Sequence, residues 1–267
     1  MSEKARQWDQ AAAEFQRTFE LGLNPYIRSC LSFWEENGMI FPGCRALDVG
    51  CGVGKYGTLL AARGCDVTLT DISEKMLAFA EKNMSASFPA SVWRTFCCDF
   101  DEADIDTDVF HPRFDFCFST MSPAVHDEKT LKKFSALSRG WCFIAGFTAS
   151  DAVLRRRIKE AVGFAEPAGS GEPLAGREHT TVAQLAEMLR AMDYLPETKS
   201  VPYHWSDRRT VRAQAELMRE RCWKDAPEAD EYDRKALAYL ESIADADGTV
   251  SDEVRTQVAW LSWKAEK

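Results

Sequence analysis

Three glycines, at positions 50, 52 and 54, lie between a short apolar run, Ala46–Val49, and a helical pattern that opens near Lys55. Glycine permits a tight turn and lets the backbone approach a ligand with no Cβ in the way. A helix starting directly after such a turn offers unpaired N–H groups to an anionic ligand group. The chemistry implied is the binding of a nucleotide-like cofactor. Asp71 closes the next apolar run, 21 residues after Gly50. A carboxylate in that place accepts hydrogen bonds from ribose hydroxyls, and Ile72 beside it serves either an adenine ring or the core. The glycines alone leave two cofactors open. Gly52, Gly54 and Gly57 fit G-x-G-x-x-G, the dinucleotide fingerprint, whereas Asp48 to Gly54 fit a longer D-x-G-x-G-x-G.

Two later stretches add polar groups at the same expected edge. One is Cys97-Cys98-Asp99-Phe100-Asp101-Glu102, and the other is FDFCFSTMSPAVHD, residues 114–127. Ligands of open α/β sheets bind beyond the carboxyl ends of the strands, so Ser119 to Asp127 should border the site. His126 lies in that exit and is the candidate acid–base group. His204, in the run Tyr203-His204-Trp205, is a second candidate, while His111 and His179 fall outside the expected site. Trp8, Tyr26, Tyr56, Tyr203 and Trp205 are candidates for an acceptor pocket or its lid, although aromatics at helical spacing, such as Trp8 and Phe15, read first as packing.

The elements that must position these groups alternate. Trp8, Ala12, Phe15 and Phe19 give an amphipathic helix over 3–20, and a second helix over about 25–37 ends at Asn37-Gly38. Strands are expected at about 45–49, 67–70, 91–97, 114–119 and 141–147, with helices at about 55–63, 73–85 and 127–137 between them. Strands alternating with helices imply a parallel sheet covered on both faces. The Pro-, Gly- and Ser-rich stretch 166–176 reads as a mobile loop. A helix over about 182–192, a strand over about 196–204, two helices within 207–244 broken at Ala226-Pro227, and a last strand in EVRTQVAWLSWK complete the chain.

Length and composition set bounds. The 267 residues, 45% hydrophobic and 28% charged, suit one large domain with an ordinary core. The net charge of -9 argues against a nucleic-acid surface, and the one basic run, Arg155–Arg157, reads as a solvated helix face. Nine cysteines without a C-x-x-C pair look like small buried hydrophobes of a reducing compartment. Cys97 and Cys98 should point to opposite faces of a strand, which disfavours redox or metal chemistry there. No signal-peptide core and no apolar stretch of the ~18 residues that cross a bilayer is present. The expected location is the cytoplasm, without membrane attachment.

The string Asp48-Val49-Gly50-Cys51-Gly52-Val53-Gly54 closely resembles the first motif of class I S-adenosylmethionine methyltransferases. Registering G-x-G-x-x-G at Gly52 would start the turn two residues late and leave Asp48 without a role, so this resemblance is preferred to the dinucleotide reading. It covers roughly residues 40–147. It implies a doubly wound, mostly parallel α/β sheet of seven strands, with N-terminal helices and a helical insertion before the last strand. The expected organisation is one domain over 1–267: a helical cap (1–40), a cofactor-binding core (41–147), and a C-terminal half (148–267) with its insertion at about 206–245. S-adenosylmethionine is the implied cofactor. Asp48, Gly50, Cys51, Gly52 and Gly54 would hold its amino-acid end, Asp71 and Ile72 its ribose and adenine. Asp99 would accept from the adenine amino group, with Phe100 alongside the ring and Ser119 at the border. The implied activity is methyl transfer. The resemblance is silent on the acceptor; a small molecule is expected from the acidic charge and the β4-exit sequence, with His126 as base only where the acceptor must lose a proton. Ser119-Thr120-Met121-Ser122-Pro123 departs from the Asn-Pro-Pro-Tyr-type motif of amino-methylating nucleic-acid enzymes. A non-catalytic cofactor-binding protein and an NAD-dependent oxidoreductase are the alternatives, and no metal is implied.

Overall fold

The computed structural model describes residues 2–20, 22, 24–111, 113–165 and 180–266. The loop expected over 166–176 lies outside the described residues, as does His179. Two helices open the chain, α1 (Glu3–Glu20) and α2 (Pro25–Glu36). The latter starts where Asn24 accepts the Ile27 N–H and Pro25 needs no donor. The alternating core follows: β1 (Arg45–Val49), α3 (Lys55–Ala61), β2 (Asp66–Asp71), α4 (Glu74–Ser85), β3 (Trp93–Cys97), β4 (Phe114–Thr120), α5 (Glu128–Leu137) and β5 (Ser138–Ala152). Then come α6 (Val153–Val162), α7 (Val182–Ala191), β6 (Glu197–Thr210), α8 (Val211–Met218), α9 (Ala229–Ile243) and β7 (Thr249–Lys264). Ser73 caps α4, and Asp127 with Thr130 forms a reciprocal capping box on α5.

The strands form one seven-stranded sheet in the order β3-β2-β1-β4-β5-β7-β6, with β7 antiparallel. β1 pairs in parallel with β2 and β4, and β3 and β5 extend the parallel part on either side. The sheet's doubly wound, mostly parallel form agrees with the expectation. The antiparallel strand separates it from the open dinucleotide-binding sheet, whose strands run 3-2-1-4-5-6.

Strands β5, β6 and β7 run further than the apolar runs suggested; the outer part of β6 alternates half-buried and exposed residues, and that of β7 buried and exposed ones. Asp207 to Thr210, expected within a helix, therefore continue β6. Between α8 and α9 the break is wider than one Ala-Pro step. A five-residue π-turn, Arg219–Trp223, precedes it.

Chain contacts divide into two compact units. The first holds the described residues of Met1–Gly146, His179–Val201 and Ala259–Lys267; the second, those of Phe147–Glu178 and Pro202–Val258. In the first unit the sheet is buried on both faces. Trp34 of α2 is fully enclosed and packs against Phe116, Phe118, Phe143 and Tyr56 at centroid distances of 5.1–5.5 Å. The opposite face holds Leu131 and Phe134 of α5, Leu185 and Leu189 of α7, and Trp263 of β7. Each such side chain contributes on the order of 1.5–3 kcal/mol by leaving water. The second unit has its own cluster, centred on Leu154, Ile158, Met218, Trp223 and Leu240. No described helix is long and apolar enough to cross a membrane.

Candidate functional site at the carboxyl edge of the sheet

The chain leaves β1 at Val49 and turns at once. Gly50 has φ +76° and its N–H donates to the Thr70 carbonyl at 2.8 Å; the Cys51 N–H donates to the same oxygen at 2.9 Å. A Cβ on Gly50 would stand 1.9 Å from the Ser122 hydroxyl, so the glycine loop and the β4 exit meet with no room for a side chain. At Gly52 (φ +54°) the added Cβ would face open space, nothing lying nearer than the Met76 sulfur at 4.0 Å. That is the opening expected where a ligand approaches backbone. Gly57 serves a different purpose. Its missing Cβ lets α3 pack on β2, where a methyl would lie 2.6 Å from a Leu69 methyl.

Two carboxylates lie next to this loop. Asp48 is 1% exposed, and neither of its oxygens has a hydrogen-bond partner. Burial, and secondly the charge of Asp71, push its carboxyl well above the ordinary value. Asp71, by comparison, has a donor at each oxygen. Its Oδ2 accepts the Gly52 N–H and its Oδ1 the Ser73 N–H, both at 2.9 Å. Burial still raises it, with these N–H donors opposing. Asp71 thus ties the glycine loop to the start of α4, a bracing role beyond the one its position suggested. Ile72 is half-buried, and Cys51 is half-buried with its thiol pushed well up by burial and then by Asp48 and Asp71.

The β3 exit forms a turn. Asp99 is half-buried; its carbonyl accepts the N–H groups of Glu102 and Ala103, and its Oδ1 that of Asp101. Phe100 is buried at 4% exposure, edge-on to Phe134, with the core as its surroundings. Cys97 is exposed and Cys98 half-buried, as alternation requires. Burial raises both thiols, that of Cys98 to about 12, so neither supplies thiolate near neutral pH. At the end of β4 the buried Ser119 hydroxyl donates to the Val49 carbonyl at 2.8 Å, locking β4 to β1. Met121 then takes φ 53°, outside the range a Cβ favours, while its N–H donates to the Ala145 carbonyl.

His126 follows with a hydrogen-bond partner at Nδ1 and a carboxylate at ion-pair distance from Nε2. Nδ1 lies 3.1 Å from the Pro123 carbonyl and Nε2 3.6 Å from Asp101 Oδ1. Among the described residues, Asp101, His126 and Asp127 bring metal-ligating atoms within 4.8 Å of one another. Asp101 also pairs with Lys4, however, and Asp127 Oδ1 caps α5, so both carboxylates of the trio are already in use. His204 is exposed on β6 in the second unit, and His111 is exposed beside Asp106.

Residues 46–139 match the model of a family described as a methyltransferase domain. YqeM of Bacillus subtilis (strain 168), which carries a methyltransferase name, is 47% identical over 56 residues, 21% of this chain and 22% of its own. The ubiquinone biosynthesis O-methyltransferase of Aromatoleum aromaticum is 35% identical over 86 residues, 32% of this chain and 34% of its own. The matches thus span about a third or less of these relatives' lengths. A crystal structure from Bacillus halodurans, described as a methyltransferase, superposes with a TM-score of 0.54 over 90% of this chain and 100% of that one, at 12% identity. That likeness establishes the shared fold. The chain has the class I S-adenosylmethionine-dependent methyltransferase fold, and its residues 46–139 resemble a methyltransferase domain.

Within this fold the residues present suit S-adenosylmethionine. A buried carboxylate without a partner, Asp48, lies next to a loop with room for a ligand at Gly52, and such a group demands a cation or a donor. An amino-acid ammonium supplies both. Several groups that brace this site carried no sequence signal. Asp9 of α1 accepts the Ser73 hydroxyl at 2.6 Å and the Lys75 N–H at 3.2 Å. Gln16 and Asn83 exchange amide hydrogen bonds, and Asn83 also donates to the Val53 carbonyl of the glycine loop. Lys55 donates to the Thr18 carbonyl. Together these pin α1 onto the glycine loop and α4. Of the aromatic candidates for a lid, Trp8 is half-buried on α1, while Tyr26 is buried and accepts a hydrogen bond from Trp260. Tyr203 and Trp205 stack with Phe147 inside the second unit.

Proposed function

We propose that this chain transfers a methyl group from S-adenosylmethionine to a small-molecule acceptor. The observation that carries the cofactor half is the Asp48 carboxylate, fully enclosed, unpartnered and placed next to the glycine loop. When bound, the cofactor would supply an electrophilic sulfonium methyl; the protein's part is binding and alignment, which provide much of the rate in such a displacement. In this reading Asp48 faces the ammonium of the amino-acid end, and Gly50, Cys51, Gly52 and Gly54 let the backbone close around it. Asp71 offers its remaining lone pairs to the ribose hydroxyls, Asp99 accepts from the adenine amino group, and Ile72, Phe100 and Ser119 shape the walls around them. The acidic groups of this edge suit a cationic cofactor.

The acceptor half rests on the chain's own charge and its β4 exit. A net charge of -9 disfavours a polyanion, and Ser119–Pro123 lacks the motif of nucleic-acid amino-methylation. The name of the Aromatoleum relative, an O-methyltransferase of ubiquinone biosynthesis, points the same way. For acceptors that must lose a proton, His126 is the candidate base, and its Nε2 must first give up Asp101.

Calorimetric titration with S-adenosylhomocysteine tests the first half: saturable 1:1 binding is expected, and absence of heat with no change in thermal midpoint would overturn it. Incubation of a cell extract with methyl-labelled cofactor tests the second. Label should enter the low-molecular-weight fraction; label confined to RNA or protein would overturn the small-molecule assignment.

A further inference from the structure

We propose that Lys133 is a positioning residue for base recognition, its ammonium holding the loop after β3 in the turn that presents Asp99 to the cofactor's adenine. The proposal rests on the cofactor reading above. Lys133 is half-buried on α5, and its Nζ donates to the carbonyls of Asp101 at 2.7 Å, Ala103 at 2.8 Å and Phe100 at 3.3 Å. An ammonium has three protons, and here one loop takes all of them.

The geometry of that loop explains why. The N–H groups of Asp101, Glu102 and Ala103 all turn back to Asp99, the first to its carboxylate and the others to its carbonyl. A single helical turn of this kind gathers its carbonyls at the far end, where a cation stabilises them. Lys133 is that cation. Without it three carbonyl oxygens would converge with no donor between them, and the turn that fixes Asp99 would lose its cap. Phe100 adds a second tie to the same helix, packing on Phe134, the residue next to Lys133. The two neighbouring carboxylates do not draw the ammonium away: Asp101 pairs with Lys4 at 3.0 Å, and the Asp99 carboxylate accepts from the turn itself.

A lysine that merely stabilised the fold would affect all ligands alike. One that positions Asp99 affects the base. The test compares binding of S-adenosylhomocysteine with binding of S-inosylhomocysteine, in which a carbonyl replaces the adenine amino group. The wild type should prefer the adenosyl ligand by about tenfold or more, the size expected for a hydrogen bond to a charged acceptor. Lys133→Met should bring the preference within about threefold, and Lys133→Arg, which keeps the cation, should retain most of it. Lys133→Gln, polar and close to lysine in length, carries the same comparison if the Met variant fails to fold by circular dichroism. Equal weakening of both ligands with the wild-type ratio preserved would overturn the proposal. A wild type that binds both ligands equally would overturn it through Asp99, and a wild type that binds neither would overturn the cofactor reading itself.

Discussion

Asp48→Asn should make the empty protein more stable and its cofactor complex weaker. The carboxylate is 1% exposed, both oxygens lack partners, and burial followed by the charge of Asp71 raises its pKa. A group whose folded pKa lies above its unfolded value carries no penalty at pH below 3.8, its ordinary value. The penalty grows as pH rises from there to the folded value and is constant above it. At pH 7 it cannot exceed the cost of keeping the carboxyl protonated against that ordinary value, about 4 kcal/mol. Measured costs of unpaired buried polar groups are roughly 1–3 kcal/mol. A neutral amide of the same shape removes the charge but keeps polar atoms, so a gain of about 2 kcal/mol is expected. In a chain of this size that raises Tm by roughly 4–8 °C. The loss of stability between pH 4 and pH 7 should flatten in the same variant. Binding moves the other way. Loss of a charge-assisted contact of about 1.5–3 kcal/mol weakens S-adenosylhomocysteine by roughly 10- to 100-fold. The control ligand is 5′-methylthioadenosine, which lacks the amino-acid end and should bind both proteins within about twofold. Scanning calorimetry of the unliganded proteins and titration with both ligands make the measurement. A lower Tm in the variant, or equal losses for the two ligands, would refute the reasoning.

Three more substitutions separate roles within the same edge. Gly50→Ala places a methyl 1.9 Å from the Ser122 hydroxyl at φ +76°; a loss of roughly 3 kcal/mol in denaturant unfolding and no measurable cofactor binding are expected, with Ser122→Gly restoring only the part due to the clash. Gly57→Ala crowds Leu69 instead, offset by alanine's helix propensity, so it should cost about 1 kcal/mol and leave the affinity for S-adenosylhomocysteine within about threefold. Asp9→Ala removes the acceptor for Ser73 and Lys75 and should speed amide hydrogen exchange along α1 while the sheet stays protected. The Ser73 hydroxyl is the main cause of the lowered Asp9 pKa, so in the wild type this latch should hold at neutral pH. It should be lost as pH falls below 3.8 toward the folded value, and unchanged exchange in α1 across that range would contradict it.

What could be read from the sequence follows from which partners have letters. β1, β2 and β4 are buried on both faces and announce themselves as apolar runs, so their observed bounds differ little from the expected ones; β3, at the sheet edge, is half-buried to exposed and starts two residues later than expected. The outer halves of β5, β6 and β7 mix polar and apolar residues at period two beside a helical pattern, and Asp207–Thr210 were expected in a helix where β6 continues. Asp48, Gly50, Gly52 and Asp71 stood out because a few consecutive residues specify the whole turn, and the structure places all four around one loop. Phe100 was expected alongside the adenine ring, and its contact with Phe134 shows how much of it serves the core. Lys133 and Asp9 had no reading at all. Their partners are backbone carbonyls, a backbone N–H and a serine hydroxyl, 30 to 66 residues away in sequence, and a backbone group leaves no mark on the residue type that carries it. The legible residues are therefore those that would touch the cofactor, and the illegible ones are those that hold them in place. It is in the second set that the variants above should reveal how tightly this edge is built.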